Sequence, residues 1–185
     1  MGKLFTRIES QHKDFIEKQK MFFTASAPLN AAGHVNLSPK GLDSFRVLSD
    51  TRVMYLDING SGNETSAHML ENGRITFMFR AFDGPPLILR LYGQGRTILP
   101  GDEIWDELIQ AFDLEIAARQ IILAEIHTVQ TSCGFSVPLY DYSGERDHAF
   151  KWSAQKGPEG LKKYQEEKNR ISLDGLPTAL QAAAE

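Results

Sequence analysis

The sequence predicts a mainly β protein with flanking helices, arranged as a closed or nearly closed antiparallel β-barrel. Three observations carry this. Several short stretches alternate apolar and polar residues with a period of two. Two of them flank Asp83-Gly84-Pro85-Pro86, a run with strong turn chemistry, and read as an antiparallel hairpin. Most stretches are joined by short turns, whereas parallel neighbours need long, usually helical, crossovers.

Taken in order, Ser10 reads as the cap of a first helix carrying Phe15, Ile16, Gln19, Phe22 and Phe23 at roughly helical spacing. Near Lys20 the pattern changes. Met21 to Ala25 reads as a strand that ends at Ala27-Pro28, and Asn30-Ala31-Ala32-Gly33 as a turn. His34 to Ser38 alternates, with Val35 and Leu37 opposite His34, Asn36 and Ser38. Arg52 to Ile58 sets Met54, Leu56 and Ile58 against Val53, Tyr55 and Asp57. Asn63 to Asn72 reads as a helix stopped by Gly73. Arg74 to Phe82 puts Ile75, Phe77, Phe79 and Ala81 on one face, and Leu87 to Tyr92 returns beside it. Asp102 to Phe112 has a helical apolar face, and Arg119 to Val129 is a last, Ile-rich strand. Glu145 to Lys156 and Glu159 to Arg170 read as polar helices, with Trp152 as an anchor. Thr178 to Glu185 reads as a frayed, Ala-rich end. The expectation is one domain, 1–185, with a polar helical C-terminal extension from about residue 145.

A chain of 185 residues is long enough to bury one core without covalent staples. Its formal charge of -4 gives no general reason to expect nucleic acid as a partner. The single cysteine, Cys133, cannot form an internal disulfide and has no local base to activate it. No apolar signal core follows the N-terminal residues, and no apolar run approaches membrane-spanning length. A cytoplasmic protein that does not engage a membrane is the resulting expectation.

Four features bear on chemistry. Gly60-Ser61-Gly62-Asn63-Glu64-Thr65 lies between a strand and a helix. Its glycines free the backbone, helix-start amides favour an anion, and Ser61, Asn63 and Thr65 add donors. The same residues also make an ordinary capped turn, and Glu64 opposes an anion. Asn36 and Ser38 share a strand face with His34, and Lys40 follows; this is either a solvated face or a row of groups beside a flat polar ligand. Arg80 and Arg90 flank the hairpin loop and offer forked contacts to phosphate or carboxylate, or to neighbouring acids. His68 stands one turn after Glu64, within reach of the loop or on the helix surface. Neither metal-ligand spacing nor a nucleophile elbow is present. No catalytic residue emerges.

These residues together resemble a known family. Gly33-His34-Val35-Asn36-Leu37-Ser38-Pro39-Lys40-Gly41, Val53 to Asp57, Gly60 to Thr65, Ala67-His68, Glu71 to Ile75 and Leu89 to Arg96 resemble pyridoxamine 5′-phosphate oxidase-related proteins. Thr131-Ser132-Cys133-Gly134 and Ser172 to Pro177 are similar to an uncharacterised branch of that family. The resemblance runs from about Phe22 to Pro177. It implies a six-stranded antiparallel split barrel, a homodimer with FMN at the interface, and oxidoreductase chemistry on a small-molecule substrate. It places Asn36, Leu37 and Ser38 beside the flavin ring. Asp57 falls in the matched runs, and Lys40, Ser61, Asn63, Thr65, His68 and Arg80 are placed around the phosphate. The same fold in relatives also implies alternatives: a flavin or haem carrier without turnover, or a deazaflavin-dependent reductase. Two departures stand out. Asn63-Glu64-Thr65 lacks the cations that relatives place there. Arg146-Asp147-His148 has the spacing of a substrate-phosphate motif but precedes Trp152.

Overall fold

The computed structural model describes residues 2–113 and 118–184. Eight strands form one antiparallel sheet. They are β1 (Lys3–Phe5), β2 (Phe22–Ser26), β3 (Asn36–Lys40), β4 (Phe45–Val47), β5 (Arg52–Ile58), β6 (Arg74–Arg80), β7 (Ile88–Ile98) and β8 (Ala118–Ser132). Helices α1 (Ser10–Lys18), α2 (Glu64–Glu71), α3 (Trp105–Ile109), α4 (His148–Lys168) and α5 (Ala179–Ala182) flank it. Seven strands run in the order β3-β2-β6-β7-β8-β5-β4, and β1 adds to β8. The curled sheet with flanking helices is the split half-barrel that the sequence predicts. It exceeds the expected six strands because β1 and β4, each three residues long, are too short to show a period.

The two ends of the sheet, β3 and β4, follow one another in the chain. Only Gly41 to Ser44 joins them, with Leu42 and Asp43 at φ 62 and 53 in the mirror-image turn geometry. The Ser44 hydroxyl closes it by donating to the Gly41 carbonyl at 2.7 Å. Here the barrel splits, and the rings of Phe22, Phe45, Tyr55, Phe77 and Phe79 pack edge-on behind the seam. A second core lies outside the sheet, where Met54, Leu56, Ile98, Ile121 and Leu123 meet Trp105 and Phe112. β5 therefore buries both of its faces, one in each core.

Several expected boundaries shift. The first helix is capped by Glu9, not Ser10, in a capping box with His12. The strand predicted from His34 starts at Asn36, because the His34 amide is held by Asp174 at 2.8 Å. β7 runs on to Ile98 through Gly93 and Gly95, whose missing side chains let Glu125 and Met69 come close. The helix expected over 102–112 is helical only at Trp105–Ile109. The two tail helices are nearly continuous, broken at Gly157 (φ 65). Trp152 is half-buried and meets Tyr164 with ring centroids 4.9 Å apart. Twelve residues of straight helix would span about 18 Å, so the helix folds back on itself at Gly157. Residues 179–182 are helical where a frayed end was expected, and Glu185 lies outside the described residues. Among the described residues, no helix is long and apolar enough to cross a membrane.

Candidate functional site

The sheet brings most of the expected residues to one place. Asn36, Ser38 and Lys40 share the inner face of β3, opposite Ser26, Thr24 and Phe22 of β2. They form a polar strip. The Asn36 amide donates to Thr65 Oγ1 at 3.0 Å, and the Ser38 hydroxyl donates to Asn36 Oδ1 at 3.1 Å. Ser26 Oγ and His68 Nδ1 are hydrogen-bonded at 2.9 Å. His68 is buried beneath α2 rather than on its surface; burial lowers its pKa, against the pull of Glu64, Glu71 and Asp174. Leu37 turns outward and is 63% exposed.

At the far end of the strip the centre is Asp57, 1% exposed. Lys40 Nζ donates to Oδ1 at 2.6 Å across the seam. Arg119 Nη2 and Gln120 Nε2 donate to Oδ2 at 2.6 and 2.8 Å. Burial alone would raise the Asp57 pKa, but the two cations outweigh it and hold the carboxyl well below the usual range. Tyr55 has its hydroxyl pKa raised, first by burial and then by Asp57.

Sequence reasoning missed Arg119. Neighbours on a regular strand point to opposite faces, yet Arg119 and Gln120 reach the same carboxylate. The register explains it. Asp57 pairs with Gln120 and Ile58 with Ala118, so Arg119 is the extra residue of a β-bulge that re-aims its side chain inward. Its Nη1 also donates to the Gly62 carbonyl at 2.9 Å. An arginine heading an Ile-rich strand was the available signal, the same one that drew attention to Arg80 and Arg90.

Arg80 does not join this cluster within the chain. It lies at the end of β6 remote from α2, six residues or roughly 20 Å of strand beyond Arg74. Its Nη2 donates to the Pro138 carbonyl at 2.8 Å, and its guanidinium sits 3.9 Å from the Phe82 ring centroid. Arg90 pairs with Met78, not with Arg80, and donates to Ser132 Oγ at 3.0 Å.

The loop from Gly60 to Thr65 leads into α2, and no side chain caps that helix. Asn63 occupies the cap position, but its amide is spent inward, accepting from Gln120 at 2.7 Å and donating to the Asn169 carbonyl at 3.0 Å. Ser61 is exposed. Arg119 touches this loop directly, Lys40 is tied to it through Asp57, and Glu64 opens the uncapped helix. The Lys40 ammonium has three donors, of which Asp57 takes one, and its side chain stays 21% exposed. It is the partly exposed cation of the cluster, whereas Arg119 is buried.

Comparison with known proteins agrees with this fold. The family model described as Pyridoxamine 5′-phosphate oxidase matches residues 8–133. A curated relative from Aspergillus flavus, the pyridoxamine 5′-phosphate oxidase family protein ustO, is 39% identical over 182 residues, covering 89% of this chain and 73% of the relative. Among solved structures, a variant of HupZ from Group A Streptococcus superposes with a TM-score of 0.54 at 20% identity, over 68% of this chain and 99% of that one. A Lactobacillus delbrueckii protein described as a candidate pyridoxamine 5′-phosphate oxidase gives 0.53 at 11% identity, over 68% and 94%. At such identities the structural likeness speaks to the fold alone.

Proposed function

The chain belongs to the pyridoxamine 5′-phosphate oxidase family, and on that premise we propose that it binds a flavin, FMN, and serves as an oxidoreductase on a small molecule. The observation that carries the reading is the partly exposed Lys40 at the end of the Asn36–Ser38–Lys40 strip, linked through Asp57 and Arg119 to the loop that leads into α2. This donor set fits the group. Lys40 keeps two donors free of Asp57, Ser61 stands open on the loop, and the first amides of α2 favour negative charge. Lys40, Ser61 and Thr65 would meet the phosphate, and Asn36 and Ser38 the edge of the ring. Asp57 and Arg119 would hold the frame rather than touch the ligand. The flavin, when bound, supplies the redox chemistry; the chain's residues bind, orient and exclude water.

The test is direct. The purified protein should carry a flavin spectrum or gain thermal stability on adding FMN. A colourless protein that gains none would refute the reading; a Soret band, or stabilisation by a deazaflavin alone, would redirect it. Anaerobic bleaching by NADH or NADPH, then recovery in air, is expected of a reductase; failure would leave a carrier. The proposal includes a homodimer with the flavin at its interface. The open edge of β3, with Leu37 63% exposed on it and Val35 73% exposed just before it, supports it. Light scattering should give twice the chain mass, and a clean monomer would remove the shared site.

A further inference from the structure

We infer that residues 169–179 form a strap that prepares the Gly60–Thr65 loop for an anion by turning its negative groups away. The inference rests on the flavin reading above and goes beyond it, since it assigns a positioning role to the C-terminal extension.

Asn169, the C-cap of α4, is 0% exposed. Its Nδ2 donates to the Gly60 carbonyl at 3.0 Å, and its own carbonyl accepts from Asn63 and from the Thr178 hydroxyl at 2.7 Å. In a trans peptide the N–H points opposite to the C=O. With the Gly60 and Gly62 carbonyls drawn inward by Asn169 and Arg119, the amides of Ser61 and Asn63 are aimed the other way. A loop that would otherwise present oxygens presents donors.

The strap also deals with Glu64, the acid where relatives place a cation. One Glu64 oxygen stays close to Gly62, but the other accepts from the Leu173 amide at 3.0 Å, so its charge is shared with the strap. The strap is itself fastened. Its Ile171–Pro177 bridge is closed by Gly175 at φ 78, and Asp174 grips both the amide and the ring of His34, the latter at 2.6 Å. Gly33 lets the chain pass close here, since a Cβ there would run into the Pro28 ring and stand 3.0 Å from the Asp174 carboxylate. The Ala179 amide donates to Ser66 Oγ at the first turn of α2. Three of the strap's hydrogen bonds, from Asn169 to Gly60, from Asn63 to Asn169 and from Leu173 to Glu64, fall on this one loop, more than holding the tail requires.

The test compares FMN with riboflavin, which lacks the phosphate. In Asn169→Ala, FMN should bind about tenfold more weakly, the size of one lost buried hydrogen bond beside an anion, while riboflavin affinity stays within about twofold. Asp174→Ala, which unclasps the strap without touching the loop, should shift FMN in the same direction by less and guards against a folding failure in the first variant. Hydrogen exchange should quicken over 60–72 and 169–179 and stay slow in β5 to β8. Equal weakening of both flavins, or unchanged exchange over 60–72, would overturn the inference. If the wild-type chain binds neither flavin, the reading of the previous subsection fails by itself. Inorganic phosphate then decides the strap: it should protect residues 60–72 from exchange in the wild type and not in Asn169→Ala, and no protection in either would overturn it.

Discussion

Replacing Asp57 by alanine removes the acceptor shared by Lys40, Arg119 and Gln120. The three donors fare differently. Lys40 is 21% exposed along its side chain and can turn to water, and Gln120 keeps its bond to Asn63. Arg119, at 3%, cannot leave. A buried charge stripped of its partner costs about 3–5 kcal/mol, and for a chain of this size each kcal/mol lowers Tm by roughly 2–4 °C. The melting point should therefore fall on the order of 10 °C, read by calorimetry and by urea unfolding. Arg119→Met in the same background should recover at least half of the loss, because an apolar side chain of similar volume does not need the carboxylate. A single variant that loses less than about 1 kcal/mol, or a double variant no better than the single, would refute the reasoning. The pH dependence has a definite sign. The folded pKa of Asp57 is depressed, so its stabilisation is complete above the unfolded value of about 3.9 and is lost as pH falls through that value towards the folded one. Wild-type stability should drop steeply below about pH 4, and Asp57→Asn should lack that component.

Three further outcomes are expected. His68 and His12 have pKa values lowered chiefly by burial, so the unfolded chain takes up protons first; stability should also decline as pH falls below about 6.5, and both rings should resist protonation by NMR titration. Gly93→Ala should cost about 1–3 kcal/mol, because its Cβ would run into the Glu125 backbone and the Ile126 side chain; Gly60→Ala, with nothing nearer than the Ile58 carbonyl at 4.0 Å, should cost within about 0.5 kcal/mol by the same urea assay. Glu64→Gln should tighten FMN binding about threefold and leave riboflavin unchanged, since one partly exposed charge is removed beside the phosphate.

The barrel was legible where period and punctuation agree. Arg52 to Ile58 alternates cleanly and ends before Asn59-Gly60, and the strand has those bounds. Legibility failed where tertiary contact overrides local pattern. Gly93 and Gly95 look like breakers but mark places where another element presses on β7. The site was half legible. Asn36, Ser38, Lys40, Thr65 and His68 gather as a shared strand face and a helix turn allow. Arg119 was hidden because a bulge, not the alternation, decides where it points. Asn169 was hidden because its partners on the loop, Gly60 and Asn63, stand more than a hundred residues earlier. Arg80 stands apart from this cluster within the chain, because hairpin proximity says nothing about which end of the barrel a residue serves.

The pairing of β8 also dictates an order of events during synthesis. The β2–β3 and β6–β7 hairpins join neighbours in the chain and can close as soon as they emerge. β5 cannot. The other edge of β5 waits for residues 118–125, and β1 waits still longer for residues 129–131. Until then the nascent chain exposes a sticky strand, the situation in which contact order slows folding and chaperones are needed. The clamp at Asn169 forms later again. The loop from Gly60 to Thr65 is thus fastened only after the barrel strands have paired. A product released before Asn169 would hold a closed barrel with an unfastened loop.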